Sequence, residues 1–323
     1  MTTAKDTSPE LADDAPWLGA CSPIFHAALL RCARGETPAN VAVMQLHAAA
    51  GAAAQVESVL AGALQACRTQ ASIADATIAR LSAALVVARA HPQAFATVKA
   101  VLDGLEHDGR DGDPEAAVAH WAATFDAAVQ RSAEGSVALY ALGDPGLLRA
   151  ATDEVVQFLR AESLLGTGRD LLEIGCGIGR FEAALAPEVR RAVGIDVSAA
   201  MIMAAKERCA GLSNVDFRHS SGKDLSLFDD ASFDVVLAVD SFPYLVLSGK
   251  ALVESHMREA ARVLREDGRL VVVNFSYGED DARDREEVAR LADASGFTVL
   301  RAGTRQFSLW DGLVFDLAKT GAR

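Results

Sequence analysis

The residues best suited to chemistry lie in one short stretch, DLLEIGCGIGRF, where Glu173 sits in an apolar run and Gly175, Gly177 and Gly179 follow at alternate positions. Glycines so spaced let the main chain turn sharply and approach a ligand where any Cβ would collide. A nucleotide-like ligand is implied. The strict dinucleotide fingerprint, G-x-G-x-x-G/A, needs glycine or alanine at the position held here by Arg180. The next apolar run, RAVGIDVS, carries Asp196 near its end. A carboxylate there accepts hydrogen bonds from both hydroxyls of a ribose and disfavours a nearby phosphate. Together these features suit an adenosine moiety without phosphate, bearing a charged amino-acid tail.

Such a turn must be presented by a strand before it and a helix after it. From about residue 150 the chain alternates the two: DLLEIG, RAVGIDV, NVDFRHS, FDVVLAVDSF, RLVVVNFSY, FTVLRAGTRQFSLW and LVFDLAKT read as strands. Helices fit between them at about 181–187, 199–210, 249–265 and 281–295. This predicts an α/β fold with a mostly parallel sheet covered on both faces, its ligand beyond the carboxyl ends of the strands. Asp311 and Gly312 between the last two runs signal a hairpin, so the last strand is expected to be antiparallel.

Upstream, from about Val41 to Val129, the texture is alanine-rich and helical. Val56, Val59, Leu60, Ala63, Leu64 and Cys67 form one stripe; Ser72 with Asp75 reads as a capping pair, and Pro92 fits the first turn of a further helix. Asp113 and Pro114 read as the N-cap and first position of a helix with Val118, Trp121, Phe125 and Val129 inward. His26, His47, His91, His107 and His120 share no spacing. We therefore expect a disordered tail over 1–16, an N-terminal all-α helical domain over 17–133 serving as lid, substrate wall or dimer surface, and the α/β domain over 134–323.

The chain resembles the class I S-adenosylmethionine-dependent methyltransferases of small-molecule type over roughly residues 135–320. LLEIGCGIGRF matches the first motif, GIDVS the acidic ribose position, HSSGKDLSLFDDASFDVVLAVDSF the adenine loop and fourth strand, and ARVLREDGRLVVVNFS the helix and fifth strand. The resemblance implies a Rossmann-like seven-stranded sheet with an antiparallel last strand, and S-adenosylmethionine as cofactor, released as S-adenosylhomocysteine. It places Glu173, Gly175, Cys176, Gly177 and Gly179 around the methionine part and ribose, Asp196 on the ribose, and Val197 and Met201 on the adenine. Ser221 and Gly222, with Lys223 beside them, face the adenine edge. Asp240 and Ser241 are expected near the sulfonium and the acceptor. Just upstream, EGSVALYALGDPGLL is similar to the segment that covers the cofactor, making Tyr140 a contact. Where a proton must be removed, Asp240, His219, Tyr244 and Tyr277 are the candidates. His256 shares a helical face with Leu252, Ala260 and Val263 and reads as structural.

The formal charge of −13 over 323 residues, with no basic stripe, weighs against a nucleic-acid partner. The start of the chain has no signal-peptide pattern and no apolar run spans a bilayer, so a cytoplasmic protein is expected, with no membrane partner. Five scattered cysteines, without a paired motif or histidines at ligand spacing, predict neither a disulfide framework nor a metal site. Cys176 inside the glycine turn is explained by its small size. The leading expectation is methyl transfer to a nitrogen or oxygen of a small molecule, with a homodimer through the helical half as a further expectation. Three alternatives stand beside it: a protein methyltransferase that docks through the helical half, an NAD-dependent dehydrogenase, and a non-catalytic cofactor-binding protein.

Overall fold

In the computed structural model the described residues are 15–70, 72–103, 113–278 and 280–320. His107 lies outside them, as do the expected tail as far as residue 14 and nearly all of the loop ahead of Pro114. The chain divides into a helical unit, 1–104 with 134–151 and 308–311, and a sheet unit, 105–133 with 152–307 and 312–323.

The helical unit contains α1 (His26–Arg34), α2 (Ala39–Ala49), α3 (Ala53–Arg68), α4 (Asp75–Ala90) and α5 (Ala94–Leu102). Leu29, Leu46, Leu60, Ala63, Leu81 and Val98 are buried in one core, so the stripe read in α3 is its packing face. Two local expectations fail here. Ala74, not Ser72, stands at the N-cap of α4 and makes no capping bond, and Pro92 precedes α5 instead of opening it. Tyr140 also belongs to this unit: its ring is buried and stacked on Trp310 at 5.3 Å, and its carbonyl accepts a 2.9 Å bond from Asn40 Nδ2.

The helix opened by Asp113 is α6 (Pro114–Arg131). Asp113 Oδ1 accepts from the Glu115 and Ala116 amides, as the sequence predicts for an N-cap. Contrary to the expected boundary, α6 groups with the sheet unit, while 134–151 groups with the helices. The short α7 (Ala133–Val137) follows, and the boundary falls within α8 (Pro145–Ala161).

The sheet unit then runs β1 (Gly166–Ile174), α9 (Arg180–Leu185), β2 (Val189–Asp196), α10 (Ala199–Arg208), β3 (Val215–His219), β4 (Phe233–Val239), α11 (Phe242–Ser248), α12 (Lys250–Val263), β5 (Leu264–Val273), α13 (Asp281–Ser295), β6 (Phe297–Arg305) and β7 (Leu313–Lys319). The seven strands lie in the order β3-β2-β1-β4-β5-β7-β6, with β7 antiparallel to both neighbours. Uninterrupted apolar segments such as VVLAV in β4 and LVVV in β5 are buried on both faces, as a helix-covered parallel sheet requires. The β6–β7 pair is the expected antiparallel one, but its connection runs over 306–312, longer than the two-residue turn that Asp311–Gly312 suggests. The reason is local: 308–311 pack with the helical unit, where Trp310 meets Tyr140. Among the described residues no helix is long and apolar enough to cross a membrane.

Candidate functional site

Strand order reverses between β1 and β4, so the segments leaving their carboxyl ends flank a crevice. The glycine turn leaves β1 there, and Asp240 and Ser241 leave β4. Gly175, at φ +74°, supports the turn in a conformation that side chains resist, and a Cβ on it would stand 2.5 Å from Ser241 Cβ. The turn and the end of β4 therefore touch only because residue 175 has no side chain. Ser241 Oγ is buried there without a hydrogen-bond partner among the described residues, a polar atom left for a ligand to satisfy.

Asp196, 9% exposed at the end of β2, faces the same turn. Its Oδ2 accepts from the Gly177 amide at 2.9 Å and its Oδ1 from the Ser198 amide at 2.8 Å. Burial pushes this carboxyl up, and the amides of Ser198, Gly177 and Val197 hold it down. A carboxylate has about four acceptor sites, so acceptor capacity remains for a ligand hydroxyl. Val197 comes against Gly222, where a Cβ would lie 2.6 Å from Val197 Cγ1 and 2.8 Å from Val118 Cγ1 of α6. Met201 is buried in α10, whereas Ser221 is exposed.

Below the turn lies a pair of acids of which only one was anticipated. Glu173 in β1 and Glu182 in α9 are 1% and 0% exposed. Burial raises both carboxyls, Glu182 to about 7 and Glu173 well above its ordinary value, where the charge of Glu182 adds to the effect. Glu182 packs over β2 because residue 194 is glycine; a Cβ there would sit 2.5 Å from Glu182 Oε1. The visible sequence signals were an acid inside the apolar run FEAAL and a glycine inside a strand. The Cys176 thiol is buried and pushed well up, by burial first and then by Glu182, so it stays protonated.

On the β4 side, Asp240 at φ +57° and Asn274 at φ +65° both hold left-handed backbone, and Asn274 Nδ2 donates to Asp240 Oδ1 at 2.7 Å. Two such non-glycine residues at adjacent strand ends mark a site where geometry is held against local preference. Tyr277 donates from its hydroxyl to that of Tyr244 at 3.0 Å. Desolvation of the hydroxyls and the Asp240 charge push both phenols up, which favours their protonated form. His219 does not join them. It is exposed at the end of edge strand β3, its Nε2 2.9 Å from the Val197 carbonyl, three strands from β4. At about 4.8 Å per strand this separates it from Asp240 by about 14 Å. His256 is buried, its Nδ1 2.9 Å from the Leu252 carbonyl, as expected of a structural histidine.

Across these strand ends runs α6, whose sequence pattern resembles that of the helical half. Its Glu115 meets Lys223 at 3.1 Å, and Trp121 and Phe125 meet Tyr244 with ring centroids 4.9 Å apart. Asp126 Oδ1 accepts from Ser198 Oγ at 2.5 Å and from the Ala200 amide at 2.9 Å, tying α6 to the first turn of α10.

Residues 172–272, which span this turn, Asp196 and Asp240, match the model of a methyltransferase domain. The chain carries a class I S-adenosylmethionine-dependent methyltransferase domain. S-adenosylmethionine is the cofactor of that family. Curated relatives of the domain include a demethylmenaquinone methyltransferase of Tropheryma whipplei, 36% identical over 110 residues that cover 34% of this chain and 43% of that protein. Another of the same name, from Clavibacter sepedonicus, is 32% identical over 151 residues, covering 41% and 59%. The chain thus spans about half the length of the curated relatives it matches. Among solved structures, phosphoethanolamine N-methyltransferase 1 of Haemonchus contortus is 19% identical, with a TM-score of 0.48, over 65% of this chain and 50% of that one. The methyltransferase domain falls entirely within the sheet unit.

Proposed function

We propose that the protein is an S-adenosylmethionine-dependent methyltransferase acting on nitrogen or oxygen of a small molecule by in-line displacement. The observation that carries this reading is the Gly177–Asp196 pairing, which aims the Asp196 carboxylate at the glycine turn. The bound cofactor supplies a methyl group already activated on a sulfonium. In this reading Asp196 takes the ribose hydroxyls, and Val197, Met201, Ser221 and Gly222 flank the adenine. Glu173, Gly175, Cys176, Gly177, Gly179 and Ser241 line the methionine part. The chain's main task is alignment, since holding nucleophile and methyl in line removes much of the barrier. Helix α6 lies over the strand ends. Asp240 is the group that accepts a proton from the acceptor where one must leave, while Tyr244 and Tyr277 donate hydrogen bonds. The acidic surface supports a small-molecule acceptor over nucleic acid.

Titration calorimetry with S-adenosylhomocysteine tests this. Binding is expected, and Asp196→Ala should weaken it by about 1–3 kcal/mol, the scale of hydrogen bonds to a charged group. No heat with that ligand, together with binding of NAD, would overturn the reading.

A further inference from the structure

The rings gathered beside Asp240 say something about the acceptor, given the methyltransferase reading above. Tyr244 is their hub: Trp121 and Phe125 of α6 and Tyr277 after β5 stand around it at centroid distances of 4.9, 4.9 and 5.6 Å, with interplanar angles of 65°, 86° and 81°. The wall is fixed in place, since Trp121 Nε1 donates to Ser248 Oγ at 3.0 Å and that hydroxyl donates to the Tyr244 carbonyl at 2.6 Å. Tyr277 is 45% exposed, so the wall reaches solvent. Trp121, Phe125 and Tyr277 are each turned steeply from the plane of Tyr244, so the group presents ring faces as well as ring edges. Asp240 adds a negative charge at the same strand ends, held by Asn274. Electron-rich faces beside a carboxylate attract a cation.

We propose that the acceptor is an alkylamine, recognised in its cationic form by the wall of Trp121, Phe125, Tyr244 and Tyr277 together with Asp240. The ammonium gives its proton to the Asp240 carboxylate, which frees the nitrogen lone pair. That lone pair forms the new N–CH3 bond as the S–CH3 bond breaks, and the bonding electrons pass to sulfur, leaving a neutral thioether. The product is an N-methylated ammonium, the kind of group the wall holds.

The test uses the full chain saturated with S-adenosylhomocysteine and a pair of probes of equal shape, choline and its uncharged carbon isostere 3,3-dimethylbutan-1-ol. Calorimetry should show choline binding at least tenfold tighter. Asp240→Asn, which suits the left-handed backbone at that position, should erase the ratio, and Trp121→Phe, which keeps a ring, should preserve it. A second readout incubates the protein with methyl-labelled S-adenosylmethionine and an extract of small metabolites. Label in a cationic amine product that separates chromatographically from unreacted S-adenosylmethionine supports the inference. Label in the neutral organic fraction overturns it, as does equal or undetectable binding of the two probes. Failure to bind S-adenosylhomocysteine at all would instead remove the methyltransferase reading on which the inference rests.

Discussion

At Gly175 the requirement for no side chain is set by contact as well as conformation. A methyl group there would be strained at φ +74° and would collide with Ser241 Cβ. Gly175→Ala should lower stability by about 1–3 kcal/mol in urea titrations and weaken S-adenosylhomocysteine at least tenfold. Adding Ser241→Gly should recover part of both losses; a double variant no better than the single one would show that the contact is not the cause. The glycine spacing and Asp196 were legible because a turn and its acidic neighbour leave a pattern along the chain. Ser241 as the steric partner was not, since 66 positions separate it from Gly175. Glu182 had a weak signal, an acid among apolar neighbours, but its relation to Glu173 and Gly194 exists only across the fold.

At the scale of elements, α6 changes most between sequence and structure. Its cap and first residue were legible, because local hydrogen bonding and proline geometry set them. Its destination was not. The apolar face of α6 fits a helix bundle or a sheet edge equally well, and the contacts that choose between them, Val118 near Gly222 and Asp126 on Ser198, are far away in sequence. Asp126→Ala removes two acceptor contacts at the start of α10 and should lower the opening free energy of α6 amides in hydrogen exchange by about 1–3 kcal/mol. Weaker S-adenosylhomocysteine binding should accompany it. Unchanged exchange over 115–131 would mean that Asp126 does not hold the helix. His219 shows the same limit, since a strand-end histidine reads alike on an edge strand and a central one until strand order is known.

At the scale of the whole molecule, two groups of acids give stability opposite dependences on pH. At the amino ends of the central strands Asp170 is paired with Arg190, Arg191 and Arg265, and its carboxyl is lowered, most by the bond from Arg190. A lowered carboxyl contributes stability above its unfolded value and loses it as pH falls, so Asp170→Asn should flatten the acid limb of a stability curve. Glu182 is raised to about 7 by burial. The native state then binds more protons than the unfolded chain, and stability should fall as pH rises from about 4.5 through 7. Glu182→Gln should make that decline shallower, gaining about 1–3 kcal/mol at pH 8 relative to pH 5 in urea titrations, while Glu173 keeps the remainder; an equal decline in both proteins would assign it elsewhere. The sequence by itself determined the α/β class, the glycine turn, the Asp196 carboxylate at the next strand end and the cofactor family, because strands, turns and caps are written in residues close together along the chain. Only the tertiary structure decided which helix covers the strand ends, which acids share the interior and which rings surround Asp240, because those neighbours meet through packing between segments that local pattern leaves free.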